Sequence, residues 1–153
     1  MGLMNCSSFG VRCRGYDYYK SKSVINLKQI SDTNFEATVK GSGNIEYTVR
    51  LDLKHNRQCK CNCPYAIDSI KICKHMIATY FTILPQEADK FYKEELEPLE
   101  ETSKKLDSIY ERLSDYIEKM PEKEVRQSLL SLLLSGPDWQ FENFVFGNHL
   151  LDE

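Results

Sequence analysis

A cluster of cysteines constrains this chain more than any other feature of its sequence. The cluster consists of Cys59, Cys61, Cys63, Cys73 and His75. Two short clips, C-x-C and C-x-H, each place two soft ligands near one point, and the nine-residue loop 64–72 is long enough to bring them together. Structural zinc takes four such ligands in a tetrahedron. Because the segment is polar, a zinc ion would serve as its small core and would couple binding to folding.

Three other roles for the cysteines explain the cluster less well. Disulfide bonds need an oxidising compartment, and the N-terminus has no basic region followed by an apolar one, so we expect a cytoplasmic protein with reduced thiols. Cys73 and His75 could form a nucleophile and a base, but no third orienting group is evident. Simple burial of thiols is typical of apolar segments, and this segment is polar.

The spacing leaves two overlapping C-x-C frames open. We favour Cys61 and Cys63 because Pro64 directly follows the second. Cys59 is then a spare thiol, a substitute ligand or a residue without a role. The remaining cysteines and two histidines are expected to be structural or surface residues. They are Cys6, Cys13, His55 and His149.

Nothing in the sequence predicts catalysis. Four protein ligands would close the metal, leaving no position for water or substrate. The sequence also has no Gly-rich phosphate loop, no His-Glu-x-x-His helix and no serine elbow. We therefore expect no enzyme activity and no small-molecule substrate.

The two halves of the chain carry opposite charge. Residues 1–77 hold twelve Lys/Arg and six Asp/Glu, a net charge of +6, whereas residues 78–153 hold eight and seventeen, a net charge of −9. This asymmetry predicts two surfaces with different partners. No run of about 18 apolar residues occurs, so we expect no membrane partner.

The segment before the cluster predicts a small antiparallel sheet. Apolar and polar residues alternate over residues 34–40 and 45–53, which is the period of strands with one buried face. The turn residues 41–44 join them into a hairpin. Residues 16–30 predict a third strand with half-buried tyrosines, and residues 1–15 predict an irregular lead-in in which Gly10 and Gly15 break regular structure.

The segment after the cluster predicts helices. The three- and four-residue spacing of apolar residues predicts one helix over 76–84, which ends at Pro85, and a longer apolar stripe from Leu106 to Met120. Pro98 is expected to break or kink the start of the second stretch. Two more helices are predicted, one from Pro121 to Gly136-Pro137 and one over residues 139–151. We expect the stripe, and the aromatic residues of the last helix, to pack in the core of their own domain.

These patterns predict an α+β protein with two regions. A small antiparallel β-meander and a zinc finger occupy residues 10–84, and an acidic helical region occupies residues 86–153.

The motifs of the first region resemble the SWIM zinc finger family. The matching residues are Cys61-Asn62-Cys63-Pro64 and Cys73-Lys74-His75, followed by an apolar helix. Upstream, Gly15-Tyr16-Asp17-Tyr18-Tyr19 and the Val39-Lys40-Gly41-Ser42 turn are similar to bacterial members. The resemblance covers about residues 10–84, and the extra cysteine, Cys59, departs from the family pattern.

The resemblance implies a ligand set and a class of partner. If the family's ligand positions are transferred to this sequence, the zinc ligands are Cys61, Cys63, Cys73 and His75. The family implies a strand clip and a helix clip around the ion, and binding to DNA or protein rather than catalysis. Members sit in transposases, in recombination accessory proteins and beside helicases, so we expect a bacterial or phage-borne protein.

Two kinds of partner are compatible with the sequence. The candidate phosphate contacts are Lys54, Arg57, Lys60, Lys71 and Lys74. We expect nucleic acid, DNA in the first place, to bind this basic half, with the chain as an accessory subunit of a DNA-processing or defence machinery. The basic residues can equally form a solvated face that offsets the thiolates. The alternative function is an adaptor that docks on a helicase/ATPase or nuclease through its acidic helical half, without direct nucleic-acid binding.

Overall fold

The structure is a computed structural model that describes residues 2–150, apart from the side chain of Asn44. The chain divides into two compact units, Met1–Leu99 and Glu100–Glu153. A four-strand antiparallel sheet together with helices confirms the predicted α+β class. In chain order the elements are α1 (Phe9–Lys20), β1 (Val24–Gln29), β2 (Asn34–Lys40), β3 (Glu46–Asp52), β4 (Lys60–Cys61), α2 (Lys74–Ile83), α3 (Pro85–Phe91), α4 (Glu97–Lys119), α5 (Glu122–Ser135) and α6 (Asp138–Gly147).

The sheet is a meander in the order β1-β2-β3-β4. The predicted hairpin is confirmed, since β2 pairs with β3 from Asn34↔Asp52 to Lys40↔Glu46. Its period of two buries Val39, Val49 and Leu51 on the inner face. A short fourth strand, which the sequence did not predict, pairs Val49 with Cys61 and so adds a cysteine to that face.

Helix α2 packs across the inner face of the sheet. It is apolar on nearly all sides, and it buries Met76, Ile77 and Phe81 completely. The predicted helix over 76–84 is thus confirmed, with its start at Lys74. Because α2 is enclosed on several sides, its first turn, which follows Cys73, has a fixed position relative to β4.

The irregular lead-in predicted before the sheet was wrong, because residues 2–20 contain a short 3-10 turn and helix α1. The third strand predicted within residues 16–30 is confirmed only from Val24, as β1. Val11 and Gly15, which are four residues apart, and the adjacent Tyr16 are the buried residues of α1. Gly15 does not break this helix. Instead it lets α1 approach α2, because a Cβ at this position would lie 2.5 Å from Ile77 Cβ and 3.1 Å from the carbonyl oxygen of Lys74.

Aromatic rings join α1 to the helices that follow the sheet. Tyr16 stacks on Tyr92 with ring centroids 5.8 Å apart, and its edge meets Phe81 at 6.0 Å. Arg12 donates to Glu95 at 2.6 Å, and its guanidinium lies over the Phe91 ring. The tyrosines of this segment therefore lie on a helix, not on the predicted strand.

The helical segment after Pro85 continues through Pro98 without a break. A π-helical turn, Tyr92–Leu96, connects α3 to α4, and the Glu97 N–H donates to the Tyr92 carbonyl. Because proline lacks an N–H group, the wider turn just before Pro98 accommodates it. Phe91 packs in the core of the first unit, which reaches Leu99.

The second unit buries none of its described residues. Its helices start and end close to the predicted positions, and α5 begins directly after Pro121. The expected core packing is wrong, however, because Leu113 is 48% exposed and Trp139 is 63% exposed. An amphipathic helix buries its stripe only where another apolar face lies against it, and in the described part of this unit the apolar residues of all three helices stay largely exposed.

Among residues 2–150, no helix combines the length and the apolar composition that spanning a membrane requires.

Two glycines of α1 provide a matched test of this packing. We expect Gly15→Ala to destabilise the protein by about 1–3 kcal/mol, because the new methyl group collides with Ile77. Gly10→Ala meets no atom within 4 Å and should stabilise by up to about 1 kcal/mol through helix propensity. Urea unfolding of both variants measures the difference, and equal effects would contradict the close approach of α1 to α2.

Candidate metal centre

The structure brings together the four residues that the family resemblance selects. The ligand atoms of Cys61, Cys63, Cys73 and His75 all lie within 4.8 Å of one another. All four residues are buried. His75 Nδ1 lies 3.7 Å from Cys61 Sγ and 3.9 Å from Cys73 Sγ. The group can therefore hold a metal ion.

The sheet supplies the first clip. Cys61 faces inward because it pairs with Val49, whose side chain is on the buried face of β3. Cys63 lies one residue beyond Asn62, whose side chain accepts from the Thr48 N–H at 2.9 Å and extends the contact with β3. The chain then turns away, since the carbonyl of Cys63 accepts from the amides of residues 66 and 67.

The N-terminus of α2 supplies the second clip. Cys73 is the N-cap residue of α2, and His75 lies in its first turn. Amide N–H groups at a helix N-terminus point outward and carry partial positive charge. The helix therefore fixes the orientation of both side chains, and its partial positive charge stabilises the thiolate form of Cys73.

Hydrogen bonds, nearby charge and burial shift the pKa values of the three cysteine thiols in different directions. The pKa of Cys73 is lowered to about 4, because its sulfur accepts hydrogen bonds from the Cys61 thiol, from His75 and from the backbone N–H of Met76, which together outweigh burial. The pKa of Cys61 is raised, because its thiol donates to Cys73 and is buried. Burial and the nearby Cys73 thiolate raise the pKa of Cys63. A bound cation would replace these protons and favour three thiolates.

Two tyrosines hold the His75 ring. Tyr47 stacks on the imidazole with centroids 4.5 Å apart and an interplanar angle of 25°, and Tyr18 meets it edge-on at 5.4 Å. Lys74 Nζ in turn lies 4.3 Å from the centroid of the Tyr18 ring. With Nδ1 turned to the sulfur atoms, Nε2 is buried and has no hydrogen-bond partner among residues 2–150.

Cys59 lies outside the group. Its side chain is buried and turns back to β3, where Sγ lies 3.5 Å from the Asp52 carbonyl and 3.4 Å from the Asp52 amide nitrogen. Burial raises the pKa of this thiol. Among the described cysteines and histidines, Cys6, Cys13, His55 and His149 also lie outside the group.

A cavity of about 290 Å³ opens beside the metal-binding group. Cys63, Cys73 and His75 form part of its wall. Two basic side chains, two aromatic rings and a hydroxyl complete its polar lining. They are Arg14, Lys74, Tyr47, Tyr65 and Ser42.

The predicted basic residues occupy several elements. Lys54 and Arg57 are exposed in the connection between β3 and β4, and Lys60 lies opposite Arg50 on the outer face of the sheet. Lys71 is exposed on the loop between the clips, where its Nζ lies 5.6 Å from the Tyr65 ring centroid. Of the five predicted residues, Lys74 alone lines the cavity beside the metal-binding group.

Comparison of the chain with known protein families, with curated proteins and with solved structures found no match. The site is therefore interpreted from its own residues.

Sequence reasoning missed Tyr18 and Tyr47 as parts of the site. Tyr47 fitted the alternating pattern of a strand, which gave no sign of a role in the site. Its stacking on His75 depends on how α2 crosses the sheet. Tyr18 was assigned to a strand, although its segment is helical. The four-residue spacing of Val11, Gly15 and Tyr19 was the only local signal for this helix.

Metal content tests which cysteines form the centre. We expect Cys73→Ser to lose the metal, because it removes the thiolate at the α2 N-terminus, whereas Cys59→Ser should keep about one ion per chain. Elemental analysis of both purified variants beside the wild type measures this. Equal loss in the two variants, or no metal in a folded and reduced wild type, would contradict the proposed group.

Proposed function

We propose that this chain is a non-catalytic, SWIM-type zinc-binding module that binds nucleic acid, DNA in the first place. In this proposal it acts as an accessory subunit of a DNA-processing or defence machinery. The observation that carries the proposal is the buried group of four Cys/His ligands, which has a cavity with basic and aromatic lining beside it.

The donor set and its spacing support zinc as the metal. Three thiols and one imidazole are soft ligands, and structural zinc prefers such sets. Around a tetrahedral zinc ion, sulfur and nitrogen atoms are about 3.6 Å apart, given bond lengths of about 2.3 and 2.05 Å. The distances from His75 Nδ1, 3.7 and 3.9 Å, are close to that value.

The position of the four ligands supports a structural role for the metal. Bound zinc would join β4 to the first turn of α2 and would fix the loop 64–72 between them. Three thiolates and one imidazole fill all four tetrahedral positions. With no open position for water, the ion would act as a cross-link and not as a Lewis acid.

The cavity supports contact with nucleic acid. Arg14 and Lys74 bring positive charge to it, which suits a phosphate group, and Ser42 brings a hydroxyl donor. Tyr65 is 53% exposed and offers a ring face on which a base can stack. Arg12 is excluded from this role, because it is paired with Glu95 inside the first unit.

The affinity for zinc should rise steeply with pH. Cys61 and Cys63 have raised pKa values and hold their protons at neutral pH, whereas Cys73, with a pKa of about 4, is already a thiolate. Binding then releases about two protons, so the association constant should increase about a hundredfold from pH 7 to pH 8. Competition with a chelator of known affinity measures it, and an association constant independent of pH would contradict this ligand set.

Charge reversal tests the nucleic-acid interface. We expect Arg14→Glu combined with Lys71→Glu to weaken binding at least about tenfold, because each change replaces an attraction to phosphate by a repulsion. The logarithm of the affinity should fall linearly with that of the salt concentration, with a slope reduced by about one for each lost contact. Fluorescence anisotropy with single-stranded DNA, duplex DNA and RNA measures both quantities.

The control for this titration is Lys123→Glu, an exposed charge reversal on α5. It changes the net charge of the protein but lies outside the first unit. An equal effect of the control, or no binding of the wild type to any of the three probes at low salt, would overturn the nucleic-acid proposal. The zinc proposal would then stand on metal content alone.

Exposed apolar residues of α5 and α6 favour the adaptor as a second candidate function. Leu130, Leu134 and Trp139 are each more than half exposed, and Leu130 and Leu134 lie four residues apart on one side of α5. Such a surface suits docking on a helicase/ATPase or nuclease. The adaptor requires no affinity for nucleic acid, so the oligonucleotide titration distinguishes it from the first candidate.

A further inference from the structure

Two cationic side chains without a carboxylate partner meet at the cavity beside the metal-binding group. Arg14 and Lys74 both form part of its wall. Within residues 2–150 neither of them forms an ion pair, whereas Arg12, on the same helix as Arg14, is paired with Glu95. The described residues of the wall include no carboxylate. Both cations are therefore available to an anionic ligand.

Helix α1 helps to position both cations. Val11, Arg14 and Tyr18 follow one another at spacings of three and four residues and so share one face of α1. Arg14 Nε donates to the Gly10 carbonyl at 3.1 Å, which leaves the two terminal NH₂ groups of the guanidinium for a ligand. The Tyr18 ring supports Lys74, whose Nζ lies 4.3 Å from the ring centroid. Side chains that are already oriented lose less conformational freedom on binding.

Other parts of the wall suit a phosphate group that is joined to a base. Ser42 supplies a hydroxyl donor, and the first turn of α2 carries the partial positive charge of a helix N-terminus. Tyr65 is more than half exposed and supplies a ring face for stacking. The wall therefore combines donors for phosphate oxygens with an aromatic surface, which together match one nucleotide.

The metal-binding group opposes an anion but does not cancel the two cations. When zinc is bound, three thiolates, one imidazole and the ion sum to −1. Arg14 and Lys74 together carry +2, so an excess of +1 remains. The attraction then grows with the charge of the ligand. A terminal phosphomonoester carries about −1.5 to −2 at pH 7, whereas an internal phosphodiester carries a single negative charge, so the terminal group is favoured.

The size of the cavity suits one nucleotide. Its volume of about 290 Å³ is close to the lower limit for small-molecule pockets, about 300 Å³. Its wall comes from α1, the connection between β2 and β3, β3 itself, the region 63–65 and the start of α2. An internal nucleotide in such a cavity must leave room for the chain on both of its sides, whereas the end of a strand needs room on one side only.

We propose that this cavity binds the phosphorylated end of a nucleic-acid strand, with the terminal phosphomonoester in contact with Arg14 and Lys74. Ser42 donates to a phosphate oxygen, and the terminal base stacks on Tyr65. Lys71 lies outside the wall of the cavity and is left to contact internal phosphates of the same strand. The inference rests on the proposed nucleic-acid function and makes it more specific, because a strand is then recognised by its end.

Matched oligonucleotides test this end recognition with the full chain. Single-stranded DNA of about ten nucleotides, a usual site size, is labelled at one end and either carries or lacks a phosphate at the other. One pair has this phosphate at the 5′ end and a second pair has it at the 3′ end. We expect the phosphorylated strand of at least one pair to bind about tenfold tighter, because a hydrogen bond to a charged group adds that much affinity. Fluorescence anisotropy measures both dissociation constants.

Two neutralised cations separate the strand end from the rest of the strand. Arg14→Gln should reduce the preference for the phosphorylated strand at least about threefold, because it removes a cation of the cavity wall. Lys71→Gln, the matched control, should weaken binding of both strands and leave their ratio unchanged. Both side chains are exposed, and the metal content of each variant reports that the first unit is folded. Inorganic phosphate and a nucleoside monophosphate serve as competitors that represent free ligands.

The outcomes distinguish this inference from the proposed function. Equal affinity for phosphorylated and unphosphorylated strands would overturn end recognition and leave the nucleic-acid function intact. A preference that persists in Arg14→Gln, or that Lys71→Gln removes, would also overturn it. Tighter binding of either free competitor than of the phosphorylated strand would show that the ligand is a small phosphate compound. Failure of every oligonucleotide to bind would overturn both proposals.

Discussion

The first unit depends on the convergence of two backbone segments at one small group of polar side chains. Cys61 reaches this point because β4 pairs with β3, and Cys73 and His75 reach it because α2 begins there. Without a metal, the Cys61 thiol and His75 donate hydrogen bonds to the Cys73 sulfur, and burial makes further ionisation of the group costly. A shared cation would favour three thiolates, so metal binding by these four residues would add to the stability of the first unit.

Helix α1 connects the core to this group. Gly15 permits a close approach to Ile77, and on the same helix Tyr16 enters the aromatic core while Tyr18 meets the His75 ring. A shift of α1 would therefore disturb packing and ligand orientation together. This arrangement explains why one short segment contains a glycine and three tyrosines: the glycine sets the distance between the helices, and the rings fill the space around α2.

The two units differ in what stabilises them. The first encloses α2 and the inner face of the sheet, whereas the second exposes most of its leucines and aromatic residues. Three helices in a unit of this size have little surface to offer one another. Their apolar faces would be stabilised by contact with another chain.

The sequence by itself determined the β2–β3 hairpin, the helices that follow Cys73 and the candidate ligands, because alternation, helical spacing and the C-x-C and C-x-H clips are all short-range patterns. Tertiary structure decided that Cys59 turns to Asp52, that Tyr47 and Tyr18 enclose His75, and that α1 packs on α2. These contacts depend on how separate elements meet, which no local spacing encodes. For α4 the sequence predicted the apolar stripe correctly but not its exposure. A spacing pattern shows which residues share a helix face, and it does not show what covers that face.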